Sequence, residues 1–267
     1  MRIGIEARRL FRPHKHGMDV YALELIRHLQ QIDEENQYFV FVRPDEDAAC
    51  FPDALNFFAV EVEAMSYPDW EQVHLPRLAE RHQLDVLHCT ANTAPLRYRG
   101  RTVVTIHDVL YLEQNHALRP GSGTPYQRFG SLYRRMVVPL IAKQADKLLT
   151  VSDFQRGRIA RALELDDGDL QVTHNGVGEA FFRPPSAEQR RQVRATYDLP
   201  PRYYLFLENR ERRKNLNGVL RAYAHLLDTR DELPKLVIKG VDRAYLGEQL
   251  DKLGAAHLAE HCRLIEY

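Results

Sequence analysis

Several things are scarce in this chain of 267 residues, and each shortage closes off a class of function. There are only three cysteines, Cys50, Cys89 and Cys262, widely spaced and without a CxxC or Cys/His cluster, so neither a disulfide framework nor a zinc site is expected. No surplus of one charge exists either: 37 basic and 37 acidic residues cancel, which removes the electrostatic footprint of a nucleic-acid binder. No apolar run approaches the length that spans a bilayer, and Met1 leads directly into a strand-like Arg2-Ile-Gly-Ile5, which leaves no room for a signal peptide. The expected compartment is the cytosol. A GxGxxG after the first strand is missing, as is GxxxxGK[ST], so a dinucleotide oxidoreductase and a P-loop enzyme are both disfavoured.

What is present is a globular composition, 44% aliphatic and aromatic, organised around Thr102-Val-Val-Thr-Ile-His-Asp108. This β-branched run reads as a strand buried on both faces that stops on two titratable side chains. In open α/β sheets ligands bind beyond the carboxyl ends of such strands, which makes His107 and Asp108 candidates for chemistry. The plainer reading makes His107 a core histidine bonded to its neighbours and Asp108 a turn or helix cap.

Around this strand the chain alternates strands and helices, the pattern of parallel βαβ units. Strands are expected at Ile3–Ile5, Tyr38–Val42, Phe58–Val62, Asp85–His88, Lys147–Val151 and Leu170–Thr173. After Gly17 a helix is expected to bury Ala22, Leu25, Ile26 and Leu29, and Trp70–His82 reads as another. Pro120-Gly-Ser-Gly-Thr-Pro125 reads as a mobile loop, a lid or an inert connection. The helix after it carries Arg128, Arg134, Arg135 and Lys143 beside Phe129, Leu132, Val137 and Ile141, a pattern that fits contact with an anionic membrane surface and, more commonly, a solvated face. Ser152-Asp-Phe-Gln155 matches a reciprocal capping box, and its helix start could face the same cleft as His107. In His174-Asn-Gly-Val177, Asn175 and Gly176 can take positive φ. His88, Cys89 and Thr90 mark another strand end, read as shaping a pocket.

A first domain is expected over 1–182, a linker with a charged helix over 183–201, and a second unit over 202–267. The second repeats the pattern, with strands at Tyr203–Leu207, Lys235–Lys239 and Arg263–Glu266 and helices at Leu216–Leu227 and Tyr245–Leu253. It is about half the length of a doubly wound nucleotide-binding domain. It reads as unfinished, with an unpaired sheet edge and lower stability than the first domain. Its first strand-to-helix junction, Glu208-Asn-Arg-Glu-Arg-Arg-Lys-Asn215, places Arg210, Arg212, Arg213 and Lys214 before a helix, cations added to free amides as a diphosphate requires. A solvated charged loop is the alternative. Asp45-Glu-Asp47 and Asp167-Gly-Asp169 fit Asp-x-Asp but sit in polar connections, and both read as solvated charges.

Six segments, Met1-Arg-Ile-Gly-Ile-Glu-Ala-Arg8, His16-Gly-Met-Asp-Val-Tyr21, Thr105-Ile-His-Asp108, Val151-Ser152, Asn175-Gly-Val177 and Arg213-Lys-Asn-Leu216, occur in one order along almost the whole chain. Together they resemble family 4 glycosyltransferases, retaining nucleotide-sugar enzymes of GT-B architecture with two facing Rossmann-like domains. The resemblance implies an α/β, GT-B-like fold and a nucleotide-diphosphate sugar as donor, GDP- or UDP-hexose, with a glycan or lipid-linked acceptor. It implies no cofactor and no metal. Gly17, Met18, Asp19 and Tyr21 would form a substrate loop, and His107 with Asp108 would meet the donor sugar near its reacting centre. Arg213, Lys214 and Arg210 would hold the diphosphate, and Thr90, Ser152, Asn175 and Gly176 would shape the pocket. A scaffold or non-catalytic sugar- or nucleotide-binding relative is the reading from a different class. Departures from the family pattern are Asp19, Glu208 and Glu266 in place of glycine and Arg212 in place of proline. The paired-glutamate segment for the donor's sugar and ribose, and the family's closing helix, do not stand before Tyr267.

Overall fold

The computed structural model of the protein describes residues 1–113, 125–166, 168–210, 212–230 and 232–265. They fall in two compact units, Met1–Gly176 and Val177–Tyr267. The expected linker helix therefore belongs to the second unit.

In the first unit the β-branched and aromatic runs pair as seven parallel strands: β1 (Arg2–Glu6), β2 (Gln37–Val42), β3 (Phe57–Glu61), β4 (Val86–Cys89), β5 (Arg101–Thr105), β6 (Lys147–Thr150) and β7 (Leu170–Val172). Their order is β3-β2-β1-β4-β5-β6-β7. The chain steps outward from β1 to β3, then returns to the other side of β1 for β4. The β1/β4 boundary is thus where strand order reverses, the place at which sheets of this kind open a crevice beyond their carboxyl ends. Gly4 sits inside β1 because any Cβ there would lie 2.3 Å from Leu84 Cδ1.

Helices cover both faces, which is why the central strands read as continuous apolar runs. One core combines Ile5, Val40 and Phe57 with Ile26 of α1 (Gly17–Ile32). The other combines Phe39, Leu87 and Val104 with Ala79, Val138 and Ile159. These last three come from α3 (Leu75–Arg81), α5 (Pro125–Gln144) and α6 (Asp153–Leu163). Within α1, Leu23 and Asp19 are buried together with Ala22 and Ile26, whereas Leu25 and Leu29 are only half-buried. The stripe is rotated toward Asp19, whose carboxylate is neutralised by Arg9.

The single helix expected over Trp70–His82 is instead a turn, α2 (Tyr67–Asp69), a π-helical stretch, Trp70–His74, and then α3. The wider π turn carries Glu71 inward, to zero exposure. Beyond β5 a short helix, α4 (Leu110–Glu113), follows. Residues 120–124 of the proline- and glycine-rich stretch lie outside the described residues, as do Asp167, Glu211 and Glu266.

The second unit contains α7 (Ala187–Tyr197), β8 (Tyr203–Leu207), α8 (Leu216–Thr229), β9 (Lys235–Lys239), α9 (Arg243–Leu253) and β10 (Cys262–Ile265). The strands form a parallel sheet in order β10-β9-β8. Leu216, Leu220 and Tyr223 of α8 pack on Leu236 and Ile238 of β9, and Leu246 and Leu250 of α9 complete that core. The helix α9 starts two residues before Tyr245, because Asp242 caps it by accepting from the Tyr245 amide at 2.8 Å. Gly240 ends β9 with φ +101°, and a Cβ there would lie 2.0 Å from the Glu208 carbonyl oxygen. No other residue fits that approach.

Candidate functional site

Strand β5 ends at Thr105, so His107 stands two residues beyond it, on the irregular turn that follows. Two contacts hold it there. Its amide donates to Asn92 Oδ1 at 2.6 Å, and its Nε2 lies 2.8 Å from the Thr90 carbonyl oxygen. A carbonyl only accepts, so Nε2 carries the proton and Nδ1 is left as the ring's acceptor. The Tyr21 ring meets the imidazole edge-on, centroids 4.8 Å apart. Beneath them Thr105 Oγ1 pairs with Tyr21 OH at 3.3 Å and with His88 Nε2 at 2.9 Å. Burial holds His107 below its ordinary pKa, partly offset by its bond to Thr90 and by Asp108. His88 is pushed down to about 4 by burial and by His107. Both rings are therefore neutral at neutral pH.

Asn92 and Thr90 tie this cluster to the switch point. Asn92, 4% exposed with φ +71°, also donates its amide to the Thr105 carbonyl at 3.0 Å. Thr90 donates its hydroxyl to the Glu6 carbonyl at 2.7 Å. Glu6 itself ends β1 with 3% exposure, and burial pushes its carboxyl up to about 7. Behind it the Glu71 carboxylate accepts from Thr93 Oγ1 and, at 2.6 Å, from Tyr133 OH, and burial raises it too. The guanidinium of Arg8 lies over the Tyr67 ring, 5.3 Å from its centroid.

Asp108 caps α4, its Oδ1 accepting from the Leu110 amide at 3.3 Å. Asp19 accepts from the His16 amide at 2.9 Å and pairs with Arg9 at 3.0 Å and Arg12 at 3.7 Å. The carboxylate that replaces the family's glycine is thus turned into the protein and compensated. Gly17 is exposed and Met18 half-buried in the same turn. Ser152 accepts from the Gln155 amide at 3.2 Å, but Gln155 Oε1 finds no partner among the described residues, so the expected capping box is half formed. A complete one stands at Ser186 and Gln189. Asn175 and Gly176 are exposed and neither has positive φ, and no tight turn forms there. Of the sequence candidates, Tyr21, Thr90 and His107 come together; Glu6, Asn92 and Thr105 join them unannounced.

In the second unit a short 3-10 turn, Arg212–Lys214, leads into α8, whose N-cap Asn215 accepts from the Gly218 amide at 3.2 Å. Arg213 and Lys214 are exposed immediately before that helix start, where amides and dipole favour an anion. Arg210 is turned to the start of α9, where it pairs with Asp242 and lies 5.1 Å from the Tyr245 ring centroid. Glu208 is buried; one carboxylate oxygen accepts from the Asn209 amide at 3.1 Å and the other has no partner among the described residues.

The model of Glycosyltransferase Family 4 matches residues 16–181, a span that holds Tyr21, Thr90, Asn92, Thr105 and His107. The chain belongs to family 4. Among solved structures, a glycosyltransferase of Rickettsia africae is similar over 99% of this chain and 68% of its own, with 14% identity and a TM-score of 0.63. HepE of Anabaena, in complex with UDP-glucose, is similar over 100% of this chain and 69% of its own, with 12% identity and a TM-score of 0.65. WaaG, a glycosyltransferase of lipopolysaccharide biosynthesis, is similar over 99% and 70%, with 14% identity and a TM-score of 0.61. At such identities the likeness is one of fold, and the fold is GT-B. No curated protein matches the chain.

Proposed function

We propose that this family 4 chain serves the transfer of a hexose from a nucleotide-diphosphate sugar to an acceptor hydroxyl with retention of configuration, in the synthesis of a polysaccharide or glycolipid. The observation that carries the reading is the fixed imidazole of His107 at the carboxyl end of the sheet, inside the family-matched span. A neutral ring with Nε2–H committed to Thr90 presents Nδ1 as acceptor for a hydroxyl of the donor sugar. Arg213 and Lys214, with the amides of α8, hold the diphosphate and neutralise charge as the glycosidic bond breaks with oxocarbenium character. The leaving phosphate takes the acceptor's proton on the same face. This route calls on no carboxylate nucleophile, metal or cofactor. The UDP-glucose held by HepE supports a uridine diphosphate sugar within that donor class.

Phe129, Leu132, Met136 and Leu140 form an exposed stripe along α5, each at least 50% exposed, with Arg128 and Lys143 alongside. It supports peripheral contact with an anionic membrane at the cytoplasmic face, where a lipid-linked acceptor would be met. Among the described residues no helix is long and apolar enough to cross a membrane.

Titration of the full chain with UDP and GDP tests the donor assignment. Lys214→Ala is expected to weaken diphosphate binding about tenfold, the effect of losing one charge-assisted contact. Equal affinity before and after would overturn it.

A further inference from the structure

Glu6 is the buried group that the proposed transfer leaves unused. Its Oε1 accepts from the Arg8 amide at 3.1 Å, while Oε2 has no protein hydrogen bond among the described residues. That oxygen is not sealed from water, so it can accept from a water or from a ligand hydroxyl that replaces it. Beside it is a cavity of about 20 Å³ between the end of β1 and the first turn of α1, lined by Arg8, Met18, Asp19, Tyr67 and Thr90 as well as Glu6. The space holds one water or one hydroxyl group. It lies at the strand-order reversal, on the side of the sheet where ligands of such folds sit.

The walls restrict the ligand's chemistry. Arg8 and Arg9 stand on the loop after β1 and oppose a cationic group. Asp19 from α1 and Glu71 from the π-helical stretch oppose an anionic one. Met18, Ala22 and the Tyr67 ring offer apolar surface of the kind that packs on a pyranose face. A neutral hydroxyl is what remains.

We propose that this cavity is an acceptor subsite that takes one hydroxyl of a neutral hexose or polyol, with Glu6 Oε2 accepting its hydrogen. Its role as an acceptor site rests on the glycosyl-transfer reading, whereas its binding of a neutral sugar does not. Of the groups facing Glu6, Tyr67 and Cys89 of β4 are pushed up by burial and stay neutral near pH 7, and the Arg8 and Arg9 guanidiniums face it from the loop after β1. Burial raises Glu71 as well, so a Glu6 variant is needed to assign the titration.

The test is saturation-transfer NMR on the full chain, with the methyl α-glycosides of glucose, mannose and galactose as probes, at about pH 6 and about pH 8. At least one probe is expected to bind more tightly at the higher pH. Glu6→Gln keeps the acceptor for Arg8, and should abolish the pH dependence and weaken binding about tenfold at the higher pH. Ala91→Leu adds bulk at another residue that lines the cavity, leaves the Glu6 side chain itself unchanged, and should remove binding altogether. It carries the test should Glu6→Gln not fold. No binding of any probe by the natural chain, equal affinities in Glu6→Gln at both pH values, or binding that survives Ala91→Leu overturns the subsite. Failure of UDP and GDP to bind in a parallel titration counts against glycosyl transfer and leaves the sugar subsite standing.

Discussion

His107 Nε2 lies 2.8 Å from the carbonyl oxygen of Thr90, and that contact fixes which face of the ring is available. The neutral Nε2–H tautomer is therefore expected at pH 7, with the imidazole titrating below its ordinary value of 6.5 because burial disfavours the charged form. Long-range ¹H–¹⁵N correlation spectra of the His107 ring distinguish the tautomers. An Nδ1–H form, or an imidazolium persisting at pH 7, would remove the basis for Nδ1 as the substrate-facing atom.

Asn92 holds the His107 amide at 2.6 Å from a backbone with φ +71°. Asn92→Ala leaves that amide unmet and strains the left-handed conformation, and the expected loss is about 2–4 kcal/mol. Asn92→Gly relieves the strain alone and should recover about 1 kcal/mol of it. Urea unfolding of the two variants measures the difference. Equal losses would mean that the positive φ stores nothing.

Much of the fold is legible in the residues because the same physics writes both. Thr102 to Ile106 could only be a strand covered on both faces, and its polar stop pointed to His107. Glu6 follows the same rule, an apolar strand ending on a carboxylate, and was just as readable from Ile3-Gly-Ile5. Glu71 was not. In Trp70-Glu-Gln-Val-His74 a regular helix keeps Glu71 among solvated charges, and only the π turn swings it inside to Tyr133 and Thr93. Asn92 escaped for a related reason, since a left-handed asparagine inside Thr90-Ala-Asn-Thr93 carries no periodic signal. Ser152 read correctly as a cap, while Gln155 depended on a rotamer that local sequence does not dictate.

Asp19 clasps the loop after β1 to α1 through Arg9, Arg12 and the His16 amide. Its arginine partners are each more than a third exposed, so solvent screens the pairs and Asp19→Asn should cost only about 1 kcal/mol. Asp19→Ala also removes the acceptor for the His16 amide and should cost about 2 kcal/mol. Chemical denaturation with and without added salt separates the two parts, because screening affects the ion pairs and not the cap. Identical losses in the two variants would deny the cap its share.

The α5 stripe of Phe129, Leu132, Met136 and Leu140 gives a membrane prediction. Cosedimentation with vesicles containing phosphatidylglycerol should exceed that with neutral phosphatidylcholine vesicles and decline with salt. Leu132→Glu together with Met136→Glu should reduce it at least tenfold without unfolding the chain, since both side chains are about half exposed. Cosedimentation of the double variant equal to that of the natural chain would place the contact elsewhere.

Glu6 also makes stability depend on pH. Its carboxyl is raised from 4.5 to about 7, so between those values the folded chain keeps a proton that the unfolded chain releases. The contribution is complete below 4.5 and is lost as pH rises through about 7, a change of about 3 kcal/mol when the shift is converted directly. Glu71, also raised, acts in the same direction. His88 and His107 oppose them, because folded values below 6.5 make the unfolded chain the better proton binder there and stability from this source increases with pH. Well above 6.5 the histidines are neutral in both states, and the raised carboxyls should lower the urea midpoint toward pH 8. In the difference between the natural chain and Glu6→Gln the histidines cancel at every pH. That difference should therefore fall steadily through about pH 7, and a flat difference would mean that Glu6 is ionised in the folded chain from the start.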